Sequence, residues 1–433
     1  MNATAQSAFD LAVSTNGPRR PLRVALLGFG TVGQSVARIL AERPELADRL
    51  QLTHVYNRGV SRKRVDWVSG PVSWTEDLED IFASAPDVLV EVMGGVEPAF
   101  TIVSQAMTRG ASVVTANKML LAAHGPELLK LASERGVQLR FEAAVAGGVP
   151  LIHGVREGLA GDQLTGVAGI LNGTCNYILS RMSSSDEDIA PVLADAQRLG
   201  YAEADPTADV DGHDAAAKLV VLAGIAFSRF VRSDAIPKRS IRAISSADFR
   251  YARRLDATIR QISEIQAKDD GFYAFVGPAL VPNQSSFGRN EGANNVVSIY
   301  GRYGGESAFS GAGAGGPATA VAVVSDLLAL THRVRHSAEE WLPGAIVAPP
   351  ARPYYLRFVV KDRPGILAII AAALAKQKVN LDAVLQEPGF PKDALPFVIT
   401  VEACEEGALR TALDEIRKAE WHAEPPLALP MLL

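Results

Sequence analysis

The run LRVALLGFGTVGQSVARIL, residues 22–40, constrains the fold more than any other stretch. An aliphatic, β-prone segment runs into Gly28, Gly30 and Gly33, and a helical pattern follows without a break. Glycines at this spacing, between a strand and a helix, allow a tight turn and a close approach of backbone to a pyrophosphate. The N–H groups at the start of the helix then face the phosphates. The candidate cofactor-binding residues here are Gly28, Phe29, Gly30, Thr31, Val32 and Gly33. An unliganded glycine-rich turn remains the other reading of the same residues.

Further β-rich runs, QLTHVYNR, DVLVEVMG, ASVVTANK and VQLRFEAAV, alternate with helical ones. That rhythm predicts a parallel sheet in an α/β, Rossmann-type dinucleotide-binding domain. The second strand ends Val55-Tyr56-Asn57-Arg58. An acid at that point would bind the ribose hydroxyls of NAD; an arginine suits a 2′-phosphate. Arg58 therefore favours NADP, with NAD still open, and a solvated basic loop is the competing reading. Asn117 and Lys118 fall at the carboxyl end of another strand, where ligands of open α/β sheets bind. By position alone a lysine that opens a surface helix is the commoner case.

The window LGYAEADPTADVDGHDAAAKL, residues 199–219, carries five acids and one lysine before an apolar helix, LVVLAGIAF. Asp214 and Lys218 are four residues apart and share one helix face. At the mouth of a buried helix such a pair is costly unless it is paired or used. A surface salt bridge beside an acidic turn is the alternative.

The chain has 433 residues, enough for two or three domains, and its aromatic content of 6% makes the core aliphatic. A net charge of −5 gives no support for a nucleic-acid partner. Cys175 and Cys404 stand far apart without metal-ligand spacing. That suits a reducing compartment. No secretory signal and no apolar run of membrane-spanning length is apparent, so a cytoplasmic location without a membrane partner is expected. The expected organisation is a flexible leader over 1–20, the dinucleotide-binding domain over 21–148, and an α+β substrate-binding, catalytic and dimerisation domain over 149–340. A Pro-rich linker over 341–353 and a βαββαβ domain over 354–433 complete it.

Together, GFGTVG (28–33), TANK (115–118), EAAVAGGVPLI (142–152), GILNGTCNYIL (169–179), the acidic window and GAGAGGPATA (311–320) resemble the homoserine dehydrogenases. FVVKDRPGILAIIAAALAKQKVNLDAV resembles an ACT domain, as in the longer, monofunctional members of that family. The resemblance implies NAD(P)-dependent interconversion of L-aspartate 4-semialdehyde and L-homoserine, toward threonine, methionine and isoleucine. It implies Lys218 as proton donor, Asp214 beside it as substrate ligand, and Glu203 as a substrate ligand for the ammonium group. Lys118 is implied as a cofactor contact, with Gly313 and Ala314 on the nicotinamide side. It also implies a monovalent cation, Na+, on the main-chain carbonyls of Glu142, Val145, Gly147 and Val149. A homodimer or homotetramer is expected, with L-threonine as effector at the turn containing Gly365.

Two other functions fit parts of the chain: a catalytically silent amino-acid sensor built on the ACT domain, and another NADP-dependent reductase of amino-acid aldehydes. Intact Lys118, Glu203, Asp214 and Lys218 argue against the sensor. The Pro-rich segment leads to a further expectation, that cutting after about Arg335 leaves a working catalytic core that threonine no longer inhibits.

Overall fold

In the computed structural model, which describes residues 20–68, 70–331 and 339–432, the first third of the chain forms a six-stranded parallel sheet. Its strands are β1 (Leu22–Leu27), β2 (Leu50–Tyr56), β3 (Ser73–Thr75), β4 (Val88–Glu91), β5 (Ser112–Thr115) and β6 (Leu139–Arg140), in the order β3-β2-β1-β4-β5-β6. The strand order reverses between β1 and β4, the point where doubly wound sheets bind ligands. Val24–Leu27 of β1 and Val88–Val90 of β4 are continuous aliphatic runs because both faces of a parallel sheet are covered. The expected leader lies outside the described residues except for Arg20, which pairs with Asp87 at 2.8 Å.

β7 (Leu164–Ile170) begins a second sheet. Four helices, Gly173–Ser185, Ile189–Arg198, Thr207–Val210 and His213–Phe227, follow before a two-residue strand, β8 (Arg229–Phe230). β9 (Ala257–Lys268), β10 (Gly271–Pro282), β11 (Asn294–Gly301) and β12 (Gly305–Ala312) complete a five-stranded antiparallel sheet in the order β10-β9-β7-β11-β12. One aliphatic core joins the two sheets: Leu27, Leu89 and Leu120 pack in the same cluster as Leu219, Val220, Ile265 and Val276.

The helix Gly316–Leu330 departs from the expected domain order. It returns to the first sheet, where Ala320, Val323 and Leu327 pack with Val24, Leu26 and Val36. The reason is burial: this face of the parallel sheet needs a cover, and the apolar helix supplies it. The first sheet is thus completed by residues from the segment assigned to the substrate domain.

The Pro-rich segment is extended but is not a free spacer. Trp341 is 2% exposed and fills the space over two helices. A Cβ at Gly125 or Gly224 would come within 2.5 Å of its indole ring. The next residues form β13 (Leu342–Pro343), paired with β8, and the N–H of Val347 donates to the Phe272 carbonyl at 2.9 Å.

The last domain has β14 (Arg352–Val360), β15 (Leu381–Leu385), β16 (Leu395–Cys404) and β17 (His422–Pro430), in the order β15-β16-β14-β17, with helices Ile366–Lys376 and Glu406–Ile416 between them. This is the expected βαββαβ pattern. Side chains of β14 alternate. Tyr354, Leu356, Phe358 and Val360 lie under the two helices, whereas Tyr355 joins Phe249, Tyr251, Ile259 and Leu280 of the catalytic part. Arg357, 4% exposed, forms an ion pair with Asp248, which is fully buried and also accepts a 2.8 Å hydrogen bond from the Tyr355 hydroxyl. Arg352 meets Glu264 of β9 at 3.1 Å. The N–H of Leu432 donates to the Leu280 carbonyl at 2.9 Å.

These contacts argue against a freely detachable module. Both faces of the four-stranded sheet are apolar, so the face without helices is buried on the catalytic part. Removing one partner of a buried ion pair leaves an uncompensated charge. Arg357→Ala should therefore cost about 3–5 kcal/mol in urea unfolding. A chain cut after Arg335 should be insoluble, because it loses Trp341 and uncovers Phe249, Tyr251 and Ile259. A soluble, cooperatively folding truncated chain would contradict this account.

Candidate active site

The glycine turn is set by steric exclusion. Gly28 has φ +101°, and a Cβ there would lie 2.9 Å from the Val92 carbonyl oxygen. A Cβ on Gly33 would lie 2.0 Å from the Gly28 carbonyl oxygen, so this position brings helix and strand together. Gly30, which caps the helix Thr31–Glu42, faces open space, as a phosphate-approach position requires. Phe29 is wholly buried between Trp67 and Trp74 and anchors the turn; Thr31 and Val32 open the helix. The GAGAGG segment closes over this turn. A Cβ on Gly316 would meet the Ser35 hydroxyl at 2.6 Å and the Thr31 carbonyl at 2.8 Å.

At the carboxyl end of β2, Arg58 is exposed and has no ion-pair partner among the described residues. The neighbouring Glu76 is engaged by the N–H of Val60 at 2.9 Å. Arg62 lies beside Gly59, with its guanidinium 3.5 Å from where a Cβ would sit.

Lys118 is the first residue of the helix Lys118–Arg135, capped by the Asn117 side chain, which accepts from the Leu120 N–H at 3.1 Å. Behind it Glu91, fully buried, accepts from the N–H of Met93 at 2.8 Å and from the Thr115 hydroxyl at 2.6 Å. Asn117 also donates to the Gly95 carbonyl at 2.6 Å. Lys118 is thereby held at the carboxyl end of β5, one strand from the switch point of the sheet.

Its ammonium reaches Asp214 Oδ1 at 3.1 Å. Lys218 Nζ donates to Asp214 Oδ2 at 2.8 Å and to the Leu171 carbonyl at 2.7 Å. One carboxylate thus bridges two ammonium groups from different domains, and the Asp214 and Lys218 side chains are each only 12% exposed. Burial alone would raise the Asp214 pKa. The charges of Lys218 and Lys118, with hydrogen bonds from Lys218 and Asn172, outweigh it and hold the carboxyl well below the usual carboxylate range. Asp209 is shifted the other way, chiefly by burial, with the Asp214 charge adding to the rise and the Asn172 hydrogen bond opposing it. Two ammonium groups thus converge on one firmly ionised carboxylate, where an oxyanion can be stabilised.

Glu203 is exposed, in the turn before the short helix Thr207–Val210. Its carboxylate makes no hydrogen bond among the described residues, so the structure does not join it to Asp214 or Lys218. Gly313 lies beside Asn295 and Gly147: a Cβ on Gly313 would overlap the Asn295 side chain at 2.1 Å, and one on Gly147 would lie 2.6 Å from the Gly313 carbonyl oxygen. Ala314 follows at the same approach, its N–H nitrogen 3.0 Å from the Gly147 Cβ position.

The loop Glu142–Val149 is buried except at Gly148, and Ala146 and Gly147 both have φ +57°. The carbonyl oxygens of Val145 and Gly147 accept no hydrogen bond from the described residues, whereas that of Val149 accepts from Leu151 at 2.7 Å. The Glu142 carboxylate binds the N–H groups of Ile152 and His153 at 2.9 and 2.8 Å. The His153 ring, 3.0 Å from Asp326, has its pKa raised by that hydrogen bond.

A family model for the homoserine dehydrogenase NAD-binding domain matches residues 28–142, one for homoserine dehydrogenase matches 150–328, and one for the ACT domain matches 354–420. The homoserine dehydrogenase of Mycobacterium tuberculosis is 42% identical over 420 residues, covering 92% of this chain and 95% of that protein. The chain belongs to the homoserine dehydrogenase family. The Pseudomonas aeruginosa homoserine dehydrogenase is 36% identical, covering 94% of this chain and 98% of that protein. Among solved structures, a homoserine dehydrogenase from Thiobacillus denitrificans superposes with a TM-score of 0.88 at 34% identity, covering 95% of this chain and 98% of that one. A hyperthermophilic archaeal homoserine dehydrogenase in complex with NADPH matches with a TM-score of 0.63 at 25% identity, over 73% of this chain and 100% of that one. As a homoserine dehydrogenase the chain is an oxidoreductase with a nicotinamide-binding domain.

Three residues of this homoserine dehydrogenase site had no role in the sequence reading: Glu91, Asn172 and Asp209. A single acid ending an otherwise aliphatic strand, as in VLVE, is the signal that points to Glu91. Nothing local marks Asn172 and Asp209 as partners, because their contact is tertiary.

The two glycine positions predict opposite behaviour. Gly30→Ala should melt like the parent yet bind NADPH more weakly in a fluorescence titration, since its Cβ enters the open space facing the helix N-terminus. Gly33→Ala should lose stability as well, because its Cβ meets backbone. Unchanged NADPH affinity in Gly30→Ala would contradict this use of the turn.

Proposed function

We propose that the chain catalyses the reversible, NADP-dependent interconversion of L-aspartate 4-semialdehyde and L-homoserine, with Lys218 as the proton donor. The observation that carries this reading is Asp214 held between Lys118 and Lys218. An ammonium group has three donors. Two of Lys218's are engaged by Leu171 and Asp214, which leaves the third for a substrate oxygen. When bound, the nicotinamide ring supplies or accepts the hydride. As the aldehyde is reduced, negative charge grows on its oxygen; Lys218 stabilises that charge and transfers its proton there. In the oxidative direction a neutral Lys218 takes the hydroxyl proton. Asp214 orients both lysines and binds substrate, and Glu203, open to solvent, is the ligand for the substrate ammonium. Lys218→Ala should lower kcat for homoserine oxidation by about 10²–10⁴ with NADP binding unchanged. Wild-type turnover in a folded Lys218→Ala protein would refute the role.

Arg58, without an acidic partner at the end of β2, supports NADP over NAD, and Lys118 and Gly313 line the nicotinamide side. Arg58→Ala should raise KM for NADP while sparing KM for NAD. Equal losses for the two cofactors would exclude Arg58 as the reader of the 2′-phosphate.

A monovalent cation, Na+, is proposed at the Glu142–Val149 loop. The carbonyls of Val145 and Gly147, which have no donor among the described residues, support it, since such oxygens suit a hard cation. Glu142 and Val149 would contribute their own carbonyls.

L-Threonine is proposed as the effector. A depression at the strand–helix turn of the ACT domain is lined by Asp362, Arg363, Gly365, Val384, Gln386 and Phe397. Leu367, Ile369, Leu381 and Val384 are exposed beside the β15 edge, which supports pairing with a second copy in a homodimer or homotetramer. Free Cys175 and Cys404 support a reducing, cytoplasmic setting. Threonine should inhibit the full-length enzyme, and Asp362→Ala should blunt that inhibition without changing the uninhibited rate. Initial rates that do not respond to threonine would exclude it as the effector.

A further inference from the structure

We propose that Asn172 is a positioning residue of this reaction: its carboxamide fastens Asp209 and Asp214 together and so aims Asp214 at Lys218. The inference rests on the reading of Asp214 and Lys218 as the proton-transfer pair and adds to it the device that sets their geometry.

Asn172 is 3% exposed and sits where β7 gives way to the helix Gly173–Ser185. Its Oδ1 accepts from the Cys175 N–H at 2.8 Å, as an N-cap. A backbone N–H can only donate, so this bond fixes which end of the amide is oxygen. The nitrogen therefore faces the acids, and its two hydrogens go one to each: Asp209 Oδ1 at 2.7 Å and Asp214 Oδ2 at 2.9 Å. The same Oδ2 receives Lys218. The residue before it, Leu171, holds Lys218 by its carbonyl. Two consecutive residues at the end of one strand thus grip both members of the pair.

The amide also answers an electrostatic problem. Asp209 and Asp214 are two half-buried acids that repel one another. The charged or titratable groups around them are Lys118 from the helix Lys118–Arg135, Lys218 from the helix His213–Phe227, and the Cys175 thiol, which donates to the Asp209 carbonyl at 3.2 Å. Of the two acids, only Asp214 forms ion pairs with these lysines among the described residues. Asn172 is the neutral donor that Asp209 shares with it.

The test compares Asn172→Asp and Asn172→Ser. Both keep a capping oxygen for the Cys175 N–H, because Asp and Ser cap as well as Asn. Both remove the two N–H donors, and Asp adds a third carboxyl. Asn172→Asp should lower kcat for homoserine oxidation by about 10²-fold, with KM for NADP and the melting temperature close to the parent values. Its kcat/KM profile should lose activity at higher pH on the acid side, because added negative charge raises the pKa of the acids beside it. Asn172→Ser should lose less and shift less. A residue needed only as a cap predicts that the two variants behave alike. Wild-type kcat and an unmoved acid limb in Asn172→Asp would overturn the proposal. So would losses in both variants that follow only a fall in melting temperature. An inactive Lys218→Ala beside an unaffected Asn172→Asp removes this inference alone, whereas an active Lys218→Ala removes the reading beneath it.

Discussion

One buried carboxylate, Asp214, organises the site. It takes Lys118 on one oxygen and Lys218 on the other, and these lysines open or line helices from different sheets. Two like charges brought to one place need an anion between them. The bridge thus joins the dinucleotide-binding and catalytic parts electrostatically, where the aliphatic core joins them by packing. Removing either lysine, or the carboxylate, changes the charge seen by the other two. Their roles are therefore not separable into independent contributions.

The scaffold around this bridge uses buried polar groups to hold loops in place. Glu91 fixes the Gly94–Gly95 turn and Thr115, and through Asn117 the start of Lys118's helix. Glu142 collects the N–H groups of Ile152 and His153, and its own N–H donates to Asp326 at 2.8 Å. Each of these acids is nearly or fully inaccessible and satisfied by backbone donors, the condition under which a buried carboxylate is tolerated. The Glu142–Asp326 contact also explains why the chain returns to the first sheet after GAGAGG. The helix Gly316–Leu330 brings Asp326 back to the loop that precedes the second sheet.

The ACT domain is coupled to the catalytic part through a shared core, not a tether. Arg239 links to Glu406 and to the Ala428 carbonyl of that domain, while the next residue, Ser240, donates to Asp211 at 2.5 Å in the acidic window. A ligand changes activity only through differential affinity for two arrangements of the protein. Packing that is continuous between the domains would be the physical medium for such a difference.

Local features were legible in the sequence. GFGTVG stood in its strand–turn–helix context because the steric demands on Gly28 and Gly33 are met within a few residues. The strand rhythm of the parallel sheet, the βαββαβ order of the last domain and the Asp214–Lys218 pair likewise follow from periodicity or from four-residue helical spacing. Tertiary structure alone decided the rest. It set Lys118 against Asp214, Asn172 between two acids, Trp341 over Gly125 and Gly224, and the helix Gly316–Leu330 back on the first sheet. It also left Glu203 in solvent and buried one face of the ACT sheet. Each of these depends on which apolar faces find cover and which buried charges find partners, and those matches are made between segments far apart in the chain, where neither periodicity nor spacing carries a signal.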